Sequence, residues 1–60
     1  MELYDVAKLI CASTKIRVFD WKDHSKTVYE NCNYIPTEQR NRIVCGIDVF
    51  DEMIEISLKA

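Results

Sequence analysis

Sixty residues, 48% of them hydrophobic, with one glycine and a formal charge of −2, describe a single small folded domain rather than a disordered chain. Lys and Arg are scattered, so no basic block stands ready to neutralise phosphates, and no apolar run approaches the ~20 residues of a membrane helix. A chain of this length gains about 3–5 kcal/mol from its one core, so it needs dense packing, a staple or a partner.

The opening "ELYDVAKLICAS" puts Leu3, Val6, Ala7 and Ile10 at i, i+3, i+4 and i+7, which predicts a helix with one apolar face, ended by Ser13 and Thr14. It does not read as a secretory leader, since a basic start is missing and Asp5 and Lys8 interrupt the apolar stretch. "KIRVFDW" then alternates, with Ile16 and Val18 on one face and Arg17, Phe19 and Trp21 on the other. The polar "KDHS" turns the chain into "KTVYENC", giving a hairpin. "NYIPTEQRNR" holds the only proline, and Thr37 to Arg42 carry too little apolar surface for more than a short helical turn. "IVCGIDVFD" aligns Ile43, Cys45, Ile47 and Val49. After a tight Asp51-Glu52 link, "MIEISLK" aligns Ile54, Ile56 and Leu58 against Met53, Glu55, Ser57 and Lys59. The expected fold is α+β over residues 1–60: one N-terminal helix packed on a four-stranded, mainly antiparallel sheet, in the order α-β-β-short helix-β-β.

Three cysteines and one histidine form a ligand set that zinc accepts. Zinc modules bring their ligands in close pairs, however, and Cys11, His24, Cys32 and Cys45 are separated by twelve, seven and twelve residues. The pattern places each cysteine without metal: Cys45 in the apolar stripe, Cys11 beside the helix core face, Cys32 at a strand end. His24 reads as a solvated turn residue. An odd cysteine count fits the reducing cytoplasm, so a cytoplasmic protein without metal or other cofactor is expected.

Catalysis needs a nucleophile and base, or paired carboxylates, in a concave site. The sole histidine falls in a turn, no glycine-rich phosphate loop is present, and Asp48, Asp51 and Glu52 read as a solvated face and turn chemistry. A non-enzymatic protein is therefore expected. The informative feature is the second face of the sheet. If the helix covers Ile16, Val18, Ile47 and Ile56, nothing remains to cover Arg17, Phe19, Trp21, Asp48 and Phe50. Tyr29 joins them if its side of the second strand faces out, and "TVYEN" leaves open whether Val28 or Tyr29 points in. Trp, Tyr, Phe and Arg on an uncovered sheet are what protein interfaces enrich, although cross-strand packing alone also gathers aromatics. An RNA-binding sheet exposes aromatics too, but its Lys/Arg-Gly-aromatic motif is missing and the chain is acidic.

The succession "LYDVAKLI", "KIRVFD", "YENCNYIP" and "IDVFDEMIEISL" resembles small proteins of Gram-positive bacteriophages and integrated mobile elements, over nearly the whole chain. That resemblance is one of layout, shares no motif that would transfer a functional residue, and implies a context in which anti-CRISPR and other anti-defence inhibitors act stoichiometrically on host proteins. The reading is a protein-binding domain whose candidate binding residues are Arg17, Phe19, Trp21, Tyr29 and Phe50. Its partner is another protein or a second copy, with neither nucleic acid nor membrane expected. The alternative is a self-associating domain that sequesters a small ligand, such as a nucleotide signal, at a subunit interface.

Overall fold

The computed structural model describes residues 1–10 and 14–60. A short helix, α1 (Leu3–Ala7), is followed by strands β1 (Lys15–Asp20), β2 (Ser25–Tyr29), β3 (Val44–Phe50) and β4 (Met53–Leu58). Two single 3-10 turns, Cys32–Tyr34 and Thr37–Gln39, lie between β2 and β3. The strands form one sheet in the order β2-β1-β4-β3. Its two flanking pairs are antiparallel hairpins, and its central pair, β1 with β4, is parallel. The α+β class and the element order are as expected; the parallel seam is the one pairing that hairpin reasoning does not foresee.

α1 is shorter than the periodicity suggests. Beyond Ala7 the backbone tightens, with Leu9 and Ile10 donating to Val6 and Ala7 three residues back rather than four. The apolar spacing still holds: Leu3, Val6 and Ala7 are buried and Ile10 packs against the same core. Cys11 and Ser13 lie outside the described residues. The core is completed by Ile16 and Val18 of β1, Ile56 and Leu58 of β4, and Ile35. Ile35 was not foreseen. It is an isolated aliphatic in a polar link, and it is carried inward because Asn31 caps the first 3-10 turn, accepting the Asn33 N–H at 2.9 Å, just before Pro36 fixes the chain direction.

β3 departs most from expectation. Its pairing with β4 slips between Val44 and Gly46, so Cys45 is an extra residue and the phase of the strand changes there. Val44, Ile47 and Val49 pair with Leu58, Ile56 and Ile54 on the helix side, while Gly46, Asp48 and Phe50 face the other way. Cys45 is therefore exposed rather than part of a core stripe, and so is Ile43. α1 lies over the middle of the sheet, which leaves Ile47 47% and Val49 78% exposed at its edge. Cys32 begins a 3-10 turn instead of ending a strand, since β2 stops at Tyr29.

The long link is fastened by two arginines. Arg42 grips Asp20 at both oxygens, with both N–O distances 2.8 Å, and Nη2 also donates to the Lys59 carbonyl at 3.1 Å. Arg40 donates from Nε to the Ile35 carbonyl at 3.0 Å and lays its guanidinium over the Tyr4 ring, 4.3 Å from the centroid. These contacts join the link to α1, to the end of β1 and to the last residues of the chain.

Candidate functional site

The sheet face opposite α1 carries no helix among the described residues. Alternation from the buried Ile16 and Val18 sends Arg17 and Phe19 to this face, and the parallel register sets Glu55 beside Arg17 and Ser57 beside Phe19. Across the other edge of β1, Val28 opposes Arg17 and Lys26 opposes Phe19. From β3, Asp48 lies next to Glu55.

The aromatics gather at two ends of one stripe. Phe19 and Trp21 meet edge to face with centroids 4.7 Å apart, and His24 stacks on Phe19 at 6.3 Å and meets Trp21 edge to face at 5.9 Å. Lys26 Nζ stands 5.8 Å from the Phe19 centroid. At the other end the Arg17 guanidinium lies 5.2 Å from the Phe50 centroid and is held there by an ion pair with Glu55. Trp21 is 51% exposed and Phe50 50%, so each shows half its surface to solvent while its base is packed. Aromatic rings held by packing at their base make contacts at small entropic cost, and a guanidinium already positioned by a carboxylate loses little freedom on meeting a partner.

Four of the five residues expected here are brought together: Arg17, Phe19, Trp21 and Phe50. Tyr29 is not among them. It pairs with Ile16 and packs on the core from the helix side, and Val28 takes the outward position instead. The register settles what "TVYEN" left open. Three participants escaped the sequence reading. His24, assigned to a solvated turn, adopts a positive φ of 58°, a conformation His tolerates better than most residues, and this folds its ring back onto Phe19. The turn signal was present, with Asp23 accepting from the Ser25 N–H at 3.0 Å, but the direction of the ring was not. Lys26 and Glu55 became legible only with the strand register.

Elsewhere the chemistry is structural. Asp20 is buried on the helix side, and the Arg42 guanidinium, followed by the Lys22 N–H, holds its carboxyl below the ordinary carboxylate value. Among the described residues no group of three or more His, Cys, Asp or Glu side chains is arranged to hold a metal ion. A broad open hollow of about 560 Å³ lies beside Lys22, Glu38, Arg42 and Lys59, but its arginine is already spent on Asp20. No described helix is long and apolar enough to cross a membrane. Comparison of the chain with protein families, curated proteins and solved structures finds no match.

Proposed function

We propose that this chain is a small protein-binding domain that acts by docking its open sheet face on another protein. The observation that carries the proposal is the stripe Trp21–Phe19–Arg17–Phe50: a contiguous aromatic and guanidinium surface whose two ends, Trp21 and Phe50, are half-exposed and whose arginine is held by Glu55. Trp, Phe and Arg are the residue types that protein interfaces enrich. The layout resemblance to phage and mobile-element proteins makes the inferred partner a cytoplasmic protein of a bacterial host, such as a defence component, inhibited by occlusion of its surface. No catalytic step and no cofactor enter this reading.

The test is capture of a partner from bacterial lysate by tagged protein, repeated with Trp21→Ala. Trp21 is half-exposed at a strand end, so the variant should keep the parent far-ultraviolet circular dichroism. Affinity should fall by about thirtyfold or more, the loss of ~2 kcal/mol typical of an interface anchor. Lys8→Ala, exposed at the end of α1 on the opposite side of the sheet, is the control. Glu55→Ala would be a poor one, because Glu55 sits in a central strand and positions Arg17. Undiminished capture by Trp21→Ala would sink the proposal and move attention to Tyr34, exposed on the link.

A further inference from the structure

The seam between β1 and β4 divides the charge of the sheet. The first hairpin, 15–29, carries four cations, Lys15, Arg17, Lys22 and Lys26, against Asp20 and Asp23. Asp20 is turned to the helix side and taken by Arg42, and Asp23 is bonded to the Ser25 N–H within its turn. The second hairpin, 44–58, carries Asp48, Asp51, Glu52 and Glu55 and neither lysine nor arginine. A chain with a formal charge of −2 is therefore positive on one half of its sheet and negative on the other. The open face repeats the division. One row across it reads Val28, Arg17, Glu55, Asp48, and the next reads Lys26, Phe19, Ser57, Gly46. Both cations lie on β2 and β1, and both carboxylates on β4 and β3. Lys15 and Glu30, exposed at the far end of the first hairpin, are opposite in sign and leave this balance unchanged. Arg17 and Glu55 neutralise each other over the seam, whereas Lys26 and Asp48 are exposed and in no ion pair among the described residues. These two stand three strand spacings apart, roughly 14 Å, beyond the Debye length of about 8 Å at physiological salt. A partner in contact meets two separate fields rather than one that cancels.

We infer that the open face docks on a protein surface of reversed polarity, acidic where it covers β2 and β1, basic where it covers β4 and β3, and apolar between. The inference rests on the docking reading above and adds the chemistry of the partner. Rings alone meet an apolar patch in more than one orientation. Opposed charges admit one, because turning the partner half round sets like charge on like at both ends. The division also tells against a partner of single sign. A groove that binds nucleic acid is basic throughout, so it would attract the second hairpin and repel the first. The chain is not built to mimic a nucleic acid.

The complex captured from bacterial lysate tests it when treated with a zero-length carbodiimide, which joins an amine only to a carboxylate in contact with it. Mass spectrometry should find Lys26 or Lys22 joined to Asp or Glu of the partner, and Asp48, Asp51 or Glu52 joined to its Lys. Association rates are then compared for the parent, Lys26→Glu, Asp48→Lys and the double variant, each checked for folding by circular dichroism. Either single change should slow association at low salt by about tenfold, and the double variant, with the net charge of the parent, should be slowest. A double variant that binds as the parent does would mean that net charge alone matters. Cross-links from one half only would mean a partner of single sign. Either result overturns the inference, and loss of capture by Trp21→Ala would still leave the docking proposal standing. Lys26 joined to Asp48, which are too far apart to be joined within one chain, would show the face meeting a second copy and overturn it too. Capture that survives Trp21→Ala removes the docking reading and this inference with it.

Discussion

Asp20 occupies the last position of β1 on the side that Ile16 and Val18 make apolar, and it is buried there as a carboxylate. Its two oxygens take both arms of Arg42, and one also takes the Lys22 N–H at 2.9 Å. Such charge-assisted bonds favour the ionised form, which is why the carboxyl titrates below its usual value near 3.8. The unfolded chain therefore binds this proton more readily than the folded one, and stability is full above the unfolded value and lost as pH falls through the lower folded value. Asp23, bonded by the Ser25 hydroxyl and N–H, is lowered too and adds to the same acid limb. Urea midpoints followed from neutral pH down should fall steeply below about pH 4 in the parent. Asp20→Asn should start lower and fall less steeply. Parallel curves would show that the Arg42 grip contributes nothing to acid stability.

At the scale of elements, burial separates residues that alternation treats alike. Ile56 lies in central β4 under α1 and is fully buried, while Ile47, its cross-strand neighbour, is half-exposed on the edge. Ile56→Ala should cost about 2–5 kcal/mol, comparable with the whole margin, and leave little cooperative unfolding by circular dichroism. Ile47→Ala should cost about 1 kcal/mol in the isolated chain, in proportion to its smaller burial. Sequence periodicity supplied the strands and the helix face, because Ile16/Val18 and Leu3/Val6/Ala7/Ile10 each obey one period. It could not supply the bulge, since "IVCGIDVF" keeps a plausible alternation through Cys45, although a glycine inside a strand is the residue that signals such a break. Nor could it decide between Val28 and Tyr29, which differ in burial only because Ile16 happens to oppose Tyr29. The four anchors of the open face were legible for the same reason as the core: Arg17 and Phe19 are its alternate positions. The exposure of Ile47 and Val49 was not, because it depends on where α1 stops.

For the whole molecule, the parallel seam between β1 and β4 sets the order in which the chain can assemble. Each flanking hairpin closes a short loop and can form locally. The seam joins residues far apart in sequence, as Arg17 and Glu55 do across 38 positions, and must wait until the link has brought the hairpins side by side. Docking two preformed hairpins is then the slow event, and the transition state should contain turns but little seam. In stopped-flow refolding, Asp23→Ala, which removes the bond that closes the first turn, should slow folding. Ile16→Val, in the seam, should chiefly speed unfolding. The reverse pattern would place the seam first. A chain that folds by late docking spends time with both inner strands, "KIRVF" and "MIEISL", unpaired on their parallel side. Both are β-prone and contain neither proline nor glycine, so refolding yield should fall as concentration rises, through pairing of seam strands from different molecules.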